Sequence, residues 1–188
     1  EGDQREQRDS MHRMSWGLLA SVFVIYAIMA SLLRSYLQAL IVLLVIPWSL
    51  AGAVAGHVVM GVTLSVFSVF GMIALCGMVV NGAFVLAITR NRYIASGHSA
   101  HEAVLLAAKR RFRPIILTAL TTFLGLGPMI FESSFQAQYL VPMAIAVGMG
   151  TLVSAGVILI LIPALMVIVD ELGWESLEER LEPLAIPA

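Results

Sequence analysis

Charge is scarce in this sequence, and its distribution is the first constraint. Asp, Glu, Lys and Arg make up 12% of the 188 residues, against about a quarter in a soluble domain. Apart from Arg34 and Glu132 they are confined to positions 1–14, 89–113 and 170–188. The long uncharged runs between exclude a domain solvated by water, and with 60% hydrophobic residues and a mean hydropathy of +0.93 they describe an all-α integral membrane protein. There is one cysteine, Cys76. This rules out a disulfide within the chain and leaves Cys76 as a small apolar packing residue. The net charge is −1 and the basic residues form one local cluster, so a nucleic-acid surface is excluded too. No metal-ligand cluster, nucleophile–base pair or phosphate loop stands out; Gly148-Met149-Gly150 lacks the third glycine and the preceding strand of a nucleotide fingerprint. The expectation is therefore a protein that is not an enzyme and holds no cofactor.

What is there is a series of five apolar spans, at about 14–33, 38–59, 66–88, 114–131 and 139–169. The first is about 20 residues, which at 1.5 Å per residue matches a hydrocarbon core of about 30 Å. Trp16 sits where an interfacial anchor belongs. Pro47 falls within the second span and predicts a bend there, because proline has no N–H to donate. Gly52 and Gly56 form a small-xxx-small pair, and Gly148, Gly150, Ser154 and Gly156 a second small-residue face, both suited to close helix packing. The fifth span, about 46 Å if wholly helical, exceeds what the core needs; Pro142 and Pro163 mark its expected ends. Residues 1–13 read as a polar lead-in and 170–188 as an acidic, solvated tail. The opening Glu1-Gly2-Asp3-Gln4-Arg5 has neither an initiator Met nor the pattern of a signal peptide, and predicts a piece of a longer protein.

The 89–113 connection is the longest internal polar segment. Ser99 with Glu102 three residues on predicts a capped, short amphipathic helix on the membrane surface. This loop carries Arg90, Arg92, Lys109, Arg110, Arg111 and Arg113, whereas the turns at 60–64 and 132–138 carry no Lys or Arg. The positive-inside rule makes the loop cytoplasmic, the N-terminus periplasmic and the C-terminus cytoplasmic. No charged residue lies deep in a span. The spans' hydroxyls, Thr118, Thr121, Thr122, Thr151 and Ser154, are expected mainly to bond their own helices. His57 reads as an interfacial or hydrogen-bonded histidine before a proton carrier. Asn81 stands out, because an amide in lipid needs partners.

Four stretches carry a resemblance: Phe70-Gly71-Met72-Ile73-Ala74-Leu75-Cys76-Gly77-Met78-Val79-Val80-Asn81, Arg111-Phe112-Arg113-Pro114-Ile115-Ile116-Leu117-Thr118, Gln138-Tyr139-Leu140-Val141-Pro142-Met143-Ala144, and Leu33-Arg34-Ser35-Tyr36-Leu37-Gln38. Together they resemble the C-terminal membrane segment, spans eight to twelve, of resistance-nodulation-division (RND) efflux permeases. The resemblance implies half of a twelve-span helical bundle in the bacterial inner membrane and a missing N-terminal half with periplasmic domains. It also implies a homotrimer working with a periplasmic adaptor and an outer-membrane channel. The implied activity is multidrug-type efflux of drugs, amphiphiles or lipids by antiport, with protons as the coupling ion. Thr118 matches the family's relay threonine and Arg111 an arginine at the cytoplasmic end of the same helix. The tenth span keeps Asn81 but departs from the relay pattern on either side. Val80 stands where one branch has a lysine, and Gly82 where others have an aspartate. Two readings follow: coupling through Asn81 and Thr118 without a charge in that span, or a non-transporting scaffold, sensor or degenerate paralogue.

Overall fold

The computed structural model describes residues 2–132, 134 and 137–172, and among them it contains helices and no strand. Six α-helices make the five spans: α1 (Gly2–Leu33), α2 (Tyr36–Leu43), α3 (Val45–Met60), α4 (Val66–Ala95), α5 (Ala100–Ile130) and α6 (Val141–Glu171). A 3-10 turn, Ala137–Tyr139, precedes α6. The turns are short, so successive spans run antiparallel. One end of the bundle, the basic end, carries Arg34, Arg90, Arg92 and the 109–113 cluster. The far end carries the α3–α4 turn and the loop after α5.

Local chemistry sets the helix boundaries. Ser65 caps α4 in a reciprocal pair with Ser68. Ser99 caps α5 in the same way with Glu102, as its spacing predicts. Gly61 closes α3 in the left-handed region (φ 65°), and the Val62 N–H bonds back to the His57 carbonyl at 3.0 Å. The second span breaks into α2 and α3 at Leu44, because Pro47 supplies no hydrogen for the Leu43 carbonyl one turn back. The prolines of the other spans do not break them. The expected amphipathic segment is helical from Ala100, but it continues through Pro114 to Ile130 as one helix rather than lying apart on the surface. Pro163 likewise lies inside α6, which runs on to Glu171, so the expected end at Pro163 is corrected. A single missing donor is tolerated where the flanking helical bonds and neighbouring helices hold the backbone.

The most apolar helix, α6, packs against α3, α4 and α5, while α1 lies at the margin on α2 and α4. Small residues permit this. A Cβ at Gly52 would fall 2.6 Å from Val153 Cβ, and one at Gly56 2.5 Å from Met149 Cγ, so the predicted pair is the seam between α3 and α6. On α6 itself Gly148 faces Phe123 of α5, whereas Gly150 faces Leu75 of α4 and Ser49 of α3. Gly156 meets nothing within 4 Å and does not belong to a shared small-residue face. Cys76 is buried in the core with Leu75, Val79 and Ala83. Large apolar side chains remain exposed along α1 (Leu19, Phe23, Leu32) and α5 (Leu117, Leu120, Leu124), surfaces suited to lipid or further helices rather than water.

The acidic tail needs one correction. Asp170, read as solvated, is 11% exposed and forms an ion pair with Arg90, itself 1% exposed. Arg90 Nη1 also donates to Asn91 Oδ1 at 3.0 Å, and Asn91 Nδ2 donates to Gln38 Oε1 at 2.9 Å. The basic ends of α2, α4 and α6 are thereby tied together. The tail from 173 onward lies outside the described residues.

Candidate functional site

A cleft of about 190 Å³ opens where α4, α5 and α6 diverge. From α4 it takes Asn81, Gly82 and Val85, from α5 Arg111, Pro114 and Thr118, and from α6 Thr151, Ser154 and Ile158. Three residues singled out in the sequence, Asn81, Arg111 and Thr118, therefore share one space. The two departures separate. Gly82 lines the cleft, and a Cβ there would meet only Ile158 Cδ1, at 3.3 Å. Val80 is 1% exposed and belongs to the apolar core.

The hydroxyls in the cleft are committed. Thr118 Oγ1 donates to the Pro114 carbonyl at 2.8 Å. Thr151 Oγ1 donates to the Val147 carbonyl at 2.6 Å, and Ser154 Oγ to the Thr151 carbonyl at 2.8 Å. Each hydroxyl gives its hydrogen to its own helix and offers the cleft only lone pairs. Thr121, outside the cleft, does the same to the Leu117 carbonyl at 2.8 Å. Arg111 Nε donates to Thr89 Oγ1 at 3.1 Å, and Thr89 passes its own hydrogen to the Val85 carbonyl at 2.6 Å. This fixes the plane of the guanidinium and leaves its remaining N–H groups for other acceptors. The Asn81 side chain is exposed and has no hydrogen bond to the described residues. The cleft thus presents one fixed positive charge, a carboxamide able both to donate and to accept, and hydroxyl lone pairs. None of its residues is an acid, a histidine or a lysine. It is built to receive a polar or anionic group and cannot by itself exchange a proton near neutral pH.

Two polar constellations outside the cleft were not legible. Arg90–Asp170 joins residues 80 positions apart. Each stands at the margin of an apolar run, and only the packing of α4 on α6 makes them neighbours. His57 (2% exposed) and Ser68 (0%) meet across the α3–α4 turn, with His57 Nε2 2.8 Å from Ser68 Oγ. A buried histidine followed by a serine just past a glycine turn could have suggested this pair.

Among solved structures, the chain is similar to a heavy metal efflux pump. The match has a TM-score of 0.76 and 26% sequence identity, and it covers 89% of this chain and 16% of that one. The chain thus spans about a sixth of that pump's length. The family model for the AcrB/AcrD/AcrF family matches residues 1–170. A five-span helical bundle of this shape, matched over nearly its whole length, belongs to the AcrB/AcrD/AcrF family of RND efflux permeases.

Proposed function

We propose that the chain supplies spans eight to twelve of a proton-motive-force-driven exporter in the inner membrane, with its basic end in the cytoplasm. The observation that carries this reading is the composition of the cleft. Asn81, Thr118 and Arg111 converge there as acceptors and donors, and the cleft has no acid, histidine or lysine of its own. Such a site suits an acid supplied by the other half of a larger assembly. When that acid is ionised, Arg111 and Asn81 stabilise it by charge-assisted bonds; when it is protonated, the lone pairs of Thr118 accept its hydrogen. The two protonation states then favour different separations of the halves, and this is how proton binding would drive a conformational cycle. The substrates proposed are drugs, amphiphiles or lipids. The solved relative is described as a heavy metal efflux pump, so substrate assays need a metal arm.

The test uses the complete pump in proteoliposomes with an imposed pH gradient, following efflux of a lipophilic dye or of a heavy-metal ion together with proton flux. Asn81→Leu removes a bond to a charged partner and is expected to slow both fluxes by about 10- to 100-fold at unchanged protein level. Wild-type fluxes in this variant would sink the coupling role. Gly82 at the cleft wall favours the second reading, a non-transporting module. Gly82→Asp distinguishes the two. In an exporter it adds a carboxylate to the cleft that holds Arg111, and the pH profile of efflux should shift. In a scaffold there is no efflux to shift.

A further inference from the structure

We propose that His57 is a proton-binding site of its own, open to the far end of the bundle and closed toward the membrane interior. It goes beyond the cleft at Asn81; only the assignment of the far end to the periplasm rests on the orientation proposed above.

The ring's hydrogen bonds define its state. Nδ1 lies 2.8 Å from the Ala53 carbonyl. A carbonyl can only accept, so Nδ1 carries a hydrogen. In the neutral ring Nε2 is then a lone pair, and Ser68 Oγ, 2.8 Å away, donates to it. Ser68 Oγ also accepts from the Ser65 N–H at 3.0 Å, and Ser65 Oγ stands 3.4 Å from Ser68 Oγ. Ser65 in turn lines an open cleft of about 500 Å³ at the far end, beside Gly61, Glu132 and Tyr139. A continuous line therefore runs from the open cleft through two hydroxyls to a buried imidazole.

Proton movement along this line balances at every atom. Hydronium in the cleft gives a proton to Ser65 Oγ and becomes water. Ser65 passes its hydroxyl hydrogen to Ser68 Oγ, and Ser68 passes its own to His57 Nε2. The imidazolium then donates through both nitrogens, to Ala53 and to Ser68, and the new Ser68 hydroxyl hydrogen turns back toward Ser65. No hydrogen bond is lost in the exchange. The line ends at Ala53, because a backbone carbonyl does not pass a proton on. The site fills and empties from one side and is not part of a path across the membrane.

The imidazolium has no counter-ion among the described residues and burial works against its charge, so the Ala53 carbonyl and the Ser68 hydroxyl are what stabilise it. From α4 the ring meets Ser68. At the neighbouring Gly56, α6 contributes the apolar Ile145 and Met149. The last turn of α5 and its loop, with the 3-10 turn, contribute Glu132 and Tyr139 to the cleft rather than to the ring. Among the described residues no carboxylate is within ion-pair distance of His57. His57 lies in the last turn of α3, where the helix carbonyls favour a positive charge, while the first turn of α4 opposes it. Protonation replaces a neutral bond between α3 and the α4 cap by a charge-assisted one. It stiffens the junction that leads into the helix carrying Asn81.

The test uses the full-length protein in lipid nanodiscs, where both faces see one pH and the outcome is independent of orientation and of coupling. The imidazole resonances of isotope-labelled histidine, assigned by loss of a signal in His57→Gln, are followed across neutral pH. The His57 signal is expected to shift on acidification, as Nε2 gains its hydrogen. Amide exchange in the first turn of α4, corrected for its intrinsic pH dependence, is expected to slow about fivefold on acidification. His57→Gln, which keeps a hydrogen-bonding amide but no titration, should abolish that difference. An imidazole whose resonances stay fixed through the range, or a His57→Gln protein that keeps the wild-type pH response, would overturn the proposal and leave His57 as a fixed helix tie.

Discussion

Asp170→Ala is expected to destabilise the bundle by about 3–5 kcal/mol, the range for removing one partner of a buried ion pair. Arg90 is 1% exposed, and its guanidinium cannot shed its charge at any accessible pH. With the carboxylate gone, the ion pair that joins α4 to α6 is lost while Arg90 keeps its charge. The complementary double variant, Arg90→Met with Asp170→Leu, separates the pair's net worth from the cost of breaking it. Both charges then leave together, and stability should return to within about 1 kcal/mol of wild type or exceed it. Asn91→Ala, which removes the 2.9 Å bond to Gln38 and the 3.0 Å bond from Arg90, should cost about 2 kcal/mol. Unfolding midpoints of the full-length protein in an SDS titration would rank the three. A midpoint for Asp170→Ala equal to wild type would mean that water or lipid headgroups reach Arg90 and that the clasp is superficial.

The reach of the sequence follows from which forces are local. Five spans could be placed because burial in hydrocarbon forbids charge over a whole helix length, a constraint written in consecutive residues. The caps at Ser65 and Ser99 act within four residues, and the Ser99–Glu102 pair was visible in the order of residues. The Gly52–Gly56 spacing named a packing seam but not its occupant, since Val153 and Met149 belong to a helix far along the chain. Asp170 failed for the same reason. One carboxylate at the edge of an apolar run looks solvated until Arg90 is set beside it by tertiary packing. Prolines were legible in part: Pro47 interrupts its span as expected, while Pro114 and Pro163 lie inside unbroken helices, where flanking bonds and neighbouring helices hold the backbone. Asn81, Arg111 and Thr118 could be named in advance from family resemblance. That the cleft's three hydroxyls bond their own helices was expected from residue type and holds; that Asn81 and Arg111 share one cleft as its side-chain donors required the geometry.

Gly150→Leu is expected to abolish assembly of the membrane segment, and Gly150→Ala to show why. Gly150 lies where α6 crosses both α3 and α4. A Cβ added there would run into Leu75 Cδ2 and stand 3.0 Å from the Ser49 backbone carbonyl. The leucine is the far end of a flexible side chain and can turn aside. The carbonyl belongs to the body of α3 and moves only with the helix. A single methyl should therefore cost about 1–3 kcal/mol through off-rotamer packing and a shift of α3, a deficit that lowers but does not erase folded protein. A leucine side chain adds more volume at the same crossing, in a membrane where close van der Waals packing, not hydrophobic burial, holds helices together. Gly156→Leu is the control. Nothing lies within 4 Å of a Cβ there, and replacing glycine inside a helix gains up to about 1 kcal/mol of propensity. Expression of the full-length variants, their retention in mild detergent and their unfolding midpoints should separate the two sites clearly. Equal behaviour of Gly150→Leu and Gly156→Leu would mean that α6 can slide or roll against α3 and α4. The packing at Gly150 would then be one of several positions this helix adopts, as a moving part of a transporter requires.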